Sequence, residues 1–258
     1  MDEEYWDRLA ADYDEEVFSS LDSDDRGLIR SALDGLASRR KTALDLGCGV
    51  GKYVGTLSER FGKVIAVDHS TELLEIARRR HADRENVEFR KVDASRGRPV
   101  RGVRADVIVC ANVLIMADED LRRGILETAR RSMRPTGSLL LVLPSLESAL
   151  LVQRRLAEWY RREGAVDPEA CAEREGIRPS RRSCSELLQG LVRIDGVPTR
   201  HYLGEEIAPM LSKVGLEPTR LEKIRYPWRT EFNDAPRWMR DPLPWDWLTV
   251  ASRRGSRR

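Results

Sequence analysis

An apolar run that ends in three glycines at alternating positions constrains this chain more than any other feature. The stretch is Thr42 to Lys52, TALDLGCGVGK: Ala43, Leu44 and Leu46 are apolar, Asp45 is the lone acid, and Gly47, Gly49 and Gly51 follow. A central parallel strand is buried on both faces, so an apolar run that stops at glycines reads as such a strand giving way to a loop. Glycine reaches positive φ without strain and puts no Cβ between backbone and ligand. The amides that open the next helix, from about Lys52, then favour electron-rich groups. The plain alternative is a glycine-rich turn that closes an ordinary βα unit.

A dinucleotide fingerprint needs G-x-G-x-x-G/A, with the last glycine packing helix on strand. Here Gly51 comes one residue early and Lys52 takes that place, which disfavours a pyrophosphate turn. The stretch instead resembles the first motif of class I S-adenosylmethionine-dependent methyltransferases, acid-x-G-x-G-x-G, matched by Asp45, Gly47, Gly49 and Gly51. That resemblance implies a loop, Cys48 included, that curls around the methionine part of S-adenosylmethionine.

Spacing further along supports a nucleoside site. After a helix carrying Val54, Leu57 and Phe61 and ending at Gly62, the run KVIAVDHS reads as a second strand closing on Asp68. Asp68 stands about twenty positions beyond the first glycine, the interval at which an acid at the second strand's tip takes ribose hydroxyls. A carboxylate accepts both hydrogen bonds of a diol; a surface acid that ends a strand by chance is the alternative. His69 either flanks the adenine edge or sits in a solvated loop. Ser70 caps the next helix, and the charged run around His81 reads as its solvated end. Val87, Phe89 and Lys91 alternate as a third strand. By resemblance, Asp93 at its end takes the adenine amino group, with Ala94 alongside.

ADVIVC, Ala105 to Cys110, is a fourth strand, and Asn112 just beyond it is placed to line the sulfonium end of the cofactor. No proline follows it, whereas nucleic-acid amino-group methyltransferases of this fold carry a proline pair there, which argues against base flipping. Asp118 caps a helix whose buried stripe is Leu121, Ile125, Leu126, Ala129 and Met133. After an R-P-T-G turn, Ser138 to Leu143 is the fifth strand. The N-terminal pattern W-D-x-x-A-x-x-Y-D, Trp6 to Asp14, resembles that of small-molecule methyltransferases, in which Tyr13 lies over the cofactor. A sulfonium above that ring would gain about 0.5–2 kcal/mol; otherwise Trp6 and Tyr13 simply pack their helix down.

This alternation predicts an α/β fold: a doubly wound, Rossmann-like seven-stranded sheet with right-handed crossovers and an inserted helical and hairpin lid after strand five. Gly47, Asp68, Asp93 and Asn112 all fall at strand ends on one edge, where such sheets bind ligands. The expected organisation is a helical cap over 1–40, a cofactor-binding core over 41–143 and a substrate lid over 144–203. Residues 204–252 complete the core and 253–258 form a basic tail. Within the insertion, Leu146 to Arg162 reads as a helix and LVRIDGVPTRHYL as a hairpin turning at Asp195 and Gly196. The closing strands are Leu216 to Tyr226 and Trp247 to Ala251, the last antiparallel. The proline-rich linker between them holds Trp228 and Trp238, with Trp245 and Trp247 at its end, four of the chain's six tryptophans. It reads as an aromatic wall of the site, an interface patch or a packing flap.

Methyl transfer needs orientation more than side-chain chemistry, and orientation alone supplies about 7–11 kcal/mol. A hydroxyl or thiol acceptor also needs a base. His201 and Tyr202, before a helix start, are the candidates, with Glu158 and Tyr160 as weaker choices. Four cysteines, at 48, 110, 171 and 184, form no C-x-x-C pair, so no metal is expected. The net charge of +2, with both signs interspersed, points away from nucleic acid and membrane, and an acidic start without an apolar run predicts a soluble cytoplasmic protein. The reading is a methyltransferase that uses S-adenosylmethionine on O, N or S of a small molecule. The alternatives are a protein or RNA methyltransferase, or a catalytically silent cofactor-binding partner subunit. The sequence leaves the acceptor and the oligomeric state open.

Overall fold

A computed structural model describes residues 3–13, 17–175, 183–194, 196–232 and 234–255. Asp14 of the N-terminal pattern, Asp195 of the hairpin turn and the end of the basic tail therefore lie outside the described residues.

Among the described residues, nine strands form two sheets. The larger has seven, in the order β3-β2-β1-β4-β5-β9-β8: β1 is Ser38–Leu46, β2 Phe61–Asp68, β3 Val87–Lys91, β4 Ala105–Ala111, β5 Met133–Pro144, β8 Leu216–Arg225 and β9 Trp245–Arg253. The first five run parallel, and β9 runs antiparallel to both β5 and β8. This is the predicted doubly wound sheet, with its final strand reversed.

Alternating strand residues feed two helical layers. On one face Leu44, Ile108 and Leu141 pack against Ile125, Leu126 and Ala129 of α6, Glu119–Ser132. On the other, Ala43, Val107 and Leu140 meet Ile29, Leu33 and Leu36 of α3, Leu28–Leu36. Two shorter N-terminal helices, α1 Glu3–Leu9 and α2 Ser20–Ser23, precede α3, and α4 Val54–Arg60 and α5 Thr71–Arg80 flank β2. Ser70 and Asp118 cap α5 and α6 with their side chains, as their residue types predict.

The structure departs from the sequence reading at several points. α4 ends at Arg60 rather than Gly62, because Phe61 already opens β2 with its ring fully buried. Gly62 belongs to the strand, where an added Cβ would stand 1.9 Å from the Arg39 carbonyl oxygen. The R-P-T-G turn lies inside the span of β5, at a register irregularity between the pairs Ala105–Met133 and Val107–Ser138. Leu121 is 38% exposed rather than part of the buried stripe, since it faces the cleft described below.

The insertion after β5 comprises α7 Leu146–Arg162, α8 Pro168–Glu175, α9 Ser183–Leu188 and a two-stranded hairpin, β6 Leu191–Ile194 with β7 Val197–Arg200. α10, Gly204–Lys213, then leads into β8. Among the described residues, no helix is long and apolar enough to cross a membrane.

Candidate functional site

The glycine loop sits where β1 ends beside β2. The amides of Gly47 and Cys48 both donate to the Val67 carbonyl, at 2.8 and 3.0 Å, so the chain turns tightly at the strand tip. Gly47, Gly49 and Gly51 have φ of 78°, 52° and 86°, which side-chain-bearing residues rarely adopt. A Cβ on Gly47 would lie 2.5 Å from the Val113 side chain, and one on Gly49 would lie 2.6 Å from the Tyr13 hydroxyl.

Asp68 holds this loop to the second strand. One carboxylate oxygen accepts from the Gly49 amide at 2.9 Å, and the other from the Ser70 amide at 2.9 Å. Each oxygen keeps a lone pair for a diol. Behind the loop, His81 Nε2 lies 2.9 Å from the Gly51 carbonyl and would be struck by a Cβ on that glycine. His81 thus braces the turn, a role its charged neighbourhood hides in the sequence.

A cleft of about 510 Å³ opens over these strand tips. Asp45, Gly47, Cys48, Asp68, His69, Asp93, Ala94 and Asn112 all line it, as does Tyr13 from the N-terminal segment. Gly49 and Gly51 shape the loop from behind. Asp93 is held by its own turn, through Ser95 and through Arg96 at 2.8 Å; burial raises its pKa, and these bonds outweigh that and lower it.

Three polar atoms here are buried without partners: Asp45 Oδ2, His69 Nε2 and Asn112 Oδ1. Asp45 is 3% exposed, and burial, followed by the charge of Asp68, pushes its pKa up to about 7. Buried polar groups are normally bonded, so orphaned acceptors beside a glycine cradle fit a ligand bearing cationic groups. S-adenosylmethionine, with its ammonium and sulfonium, is such a ligand.

The cover of the cleft differs from expectation. Among the described residues, those lining it run from Glu3 to Ile125, so none comes from 144–203, where a substrate lid was expected. The N-terminal segment supplies the roof with Trp6, Val17, Phe18 and Ser20. It is tied down at several points. Asp7 accepts from Ser70 Oγ at 2.5 Å, Glu3 pairs with Lys91 at 2.6 Å, and the Lys52 ammonium donates to the Val17 carbonyl while standing 5.1 Å from the Tyr13 ring centre. Lys52 and Tyr53, neither assigned a role from the sequence, both line the cleft.

His201 and Tyr202 do not reach it. His201 is 7% exposed, its Nδ1 faces the Thr199 carbonyl at 3.1 Å, and burial lowers its pKa to about 4. Tyr202 is 1% exposed and donates to the Leu114 carbonyl at 2.7 Å, with burial pushing its hydroxyl pKa up. The structure makes both part of the scaffold, with Tyr202 tying the insertion to the loop after β4 and His201 bonded within the insertion. The weaker candidates also lie off the cleft: Glu158 pairs with Arg155 and Arg162 on its own helix.

Of the three roles open to the tryptophan-rich linker, packing is the one seen. Trp228 and Met239 form a buried cluster with Val152 of α7, Phe232 stacks on Trp228 at 5.8 Å, and Arg162 lies 4.0 Å over Trp238. None of the four tryptophans lines the cleft. Among the described residues, no cluster of three or more His, Cys, Asp or Glu is placed to hold a metal.

The central segment and the fold have counterparts among known proteins. Residues 43–137 match a methyltransferase domain. Over 122 residues the chain is 36% identical to an uncharacterized 37.1 kDa protein in transposon Tn4556 of Streptomyces fradiae, covering 45% of this chain and 34% of that one. The chain thus matches about a third of that relative's length. Among solved structures, a DhpI–SAH complex superposes with a TM-score of 0.61 at 16% identity, over 98% of this chain and 95% of that one. An S-adenosylmethionine-dependent methyltransferase from Anabaena variabilis gives 0.61 at 16% identity, over 98% and 93%. Residues 43–137 thus match a methyltransferase domain, and the chain shares its fold with S-adenosylmethionine-dependent methyltransferases of known structure.

Proposed function

We propose that this chain transfers the methyl group of S-adenosylmethionine to an O, N or S atom of a small molecule. The observation that carries the reading is the cleft's partial cover: an N-terminal segment pinned at Glu3, Asp7 and Val17 lines it above the strand tips and leaves a recessed, largely apolar space. Such a space suits a compact acceptor better than an extended polymer. The fold neighbour DhpI, described in a SAM–HEP complex, is consistent with this.

The residues divide the work. The glycine loop gives the cofactor close access to bare backbone, and Asp68 offers its remaining lone pairs to the ribose. Asp93 and Ala94 flank the adenine, while Asp45 and Asn112 present their free oxygens to the cationic end. Tyr13 and Phe18 exclude water from above. When bound, the cofactor supplies a carbon already activated by its sulfonium. The chain then contributes mainly proximity and alignment. With His201 buried elsewhere, His69 is the imidazole that lines the cleft.

The test is transfer of labelled methyl from S-adenosylmethionine into pooled small metabolites, proteins and RNA. Label in the small-molecule fraction supports the reading. Label only in protein or RNA overturns it, and cofactor binding without any label would favour a silent partner subunit.

A further inference from the structure

Asp246 is a carboxylate in a place built for apolar side chains. It lies on β9 between Pro144 of β5 and Ile224 of β8, on the face that carries Leu248 and Val250. It is 8% exposed, and burial is the largest cause raising its pKa to about 6. A buried acid is costly unless hydrogen bonds hold it, and an apolar residue would stabilise the strand as well or better. Its bonding therefore points to a task.

That bonding leads to the cleft. Asn112 Nδ2 donates to Asp246 Oδ2 at 3.4 Å, and the Tyr226 hydroxyl and the Ser145 backbone also face the carboxyl. Asn112 is itself constrained: its φ is 55°, its backbone N–H donates to the Val142 carbonyl at 3.0 Å, and it lines the cleft. The two ends of an amide have the same shape, so only its partners fix which way it points. An ionised carboxylate only accepts, so the NH2 turns to Asp246. Oδ1 is left buried with no partner.

We propose that Asp246 is a positioning residue that locks the Asn112 amide with its carbonyl oxygen toward the cleft, where that oxygen selects the cationic methyl donor over the neutral thioether product. The inference rests on the methyltransferase reading. S-adenosylmethionine carries a positive sulfur and S-adenosylhomocysteine does not; a fixed carbonyl dipole attracts the first and is indifferent to the second. A reversed amide would set its oxygen against the carboxylate and aim N–H donors at the sulfonium. The arrangement thus favours loading of the donor and release of the product.

Calorimetric titration with S-adenosylmethionine and S-adenosylhomocysteine tests this without any turnover. Asp246→Asn should lose about tenfold in affinity for the donor and less than about twofold for the product, as expected of one hydrogen bond to a charged group. Asn112→Ala should show the same unequal loss, and the double variant should lose no more than Asn112→Ala alone, because Asp246 acts through Asn112. Equal losses for both ligands, additive losses in the double variant, or unchanged donor affinity in Asp246→Asn would each overturn the proposal. If Asp246→Asn does not fold, Asn112→Ala decides, since it leaves β9 intact: unequal loss supports the proposal and equal loss overturns it. A wild-type chain that binds neither ligand is a separate result, which removes the methyltransferase reading itself.

Discussion

At the tip of β1, three of five consecutive residues hold φ between 52° and 86°, and a Cβ on any of them would collide with a neighbouring side chain at 2.9 Å or less. Between β8 and β9, the tryptophan-rich linker is held instead by Trp228, Phe232 and Met239 packed on α7. In the first region backbone geometry dictates residue type, and polar atoms are left open. In the second, apolar volume is what counts, and many residues of similar size would serve. A ligand site and a structural flap should therefore fail differently when mutated, one in binding and the other in stability.

Gly49→Val should give the largest separation. Its Cβ would meet the Tyr13 hydroxyl, and a β-branched residue at positive φ is strained. Affinity for S-adenosylmethionine should fall by roughly a thousandfold or more, with thermal stability lowered far less than binding, as followed by calorimetry and melting. Retained binding would mean that the loop does not touch the ligand.

Trp228→Ala is the converse. Trp228 is 4% exposed and stacked on Phe232, so its removal should cost about 3 kcal/mol of unfolding free energy. Cofactor affinity should stay within about twofold, because the flap contributes nothing to the cleft. A matching loss of affinity would erase the distinction between the two regions.

Asp68→Ala tests whether a residue serves both as scaffold and as ligand. It removes the acceptors of the Gly49 and Ser70 amides as well as those offered to the ribose. Binding should weaken by about 1–3 kcal/mol, measured by calorimetry. Unchanged affinity would take Asp68 out of the site and leave it as a loop staple.

The same contrast explains what the sequence reveals. The cleft is legible because steric need forces its residue types: glycines where φ is positive, and acids and an amide at strand tips, all at spacings set by the βα unit. The boundary of α4 is missed because Phe61 fits a helical stripe as well as a buried strand start. His81 and Lys52 are missed because their partners, the Gly51 and Val17 carbonyls, are backbone atoms that leave no trace in composition. The expectation that His201 is a base follows from residue type alone, and only the packing around Tyr202 and Thr199 shows that its ring is enclosed. The linker's tryptophans announce burial but not the helix they cover.

The smallest expected effect concerns the two acids at the cleft floor, which sit in one cavity yet are employed differently. Asp68 has both oxygens bonded to backbone amides, whereas Asp45 keeps one oxygen free and its pKa stands at about 7 against an ordinary 3.8. Between about pH 4 and 7 the native state holds a proton that the unfolded chain has released, so the contribution of Asp45 to folding is full below pH 4 and is lost as pH rises toward 7. Ligand affinity should run the other way. A cationic group arriving beside Asp45 favours the ionised form and expels the proton, so S-adenosylmethionine should bind up to about tenfold more weakly at pH 6 than at pH 8. Calorimetry in two buffers of different ionisation enthalpy should register release of up to one proton on binding near pH 6.5. Asp45→Asn should flatten the affinity profile and abolish the release while sparing the flap. A slope that survives this substitution would assign the titration to another group in the cleft and return Asp45 to the role of a buried, protonated strand residue.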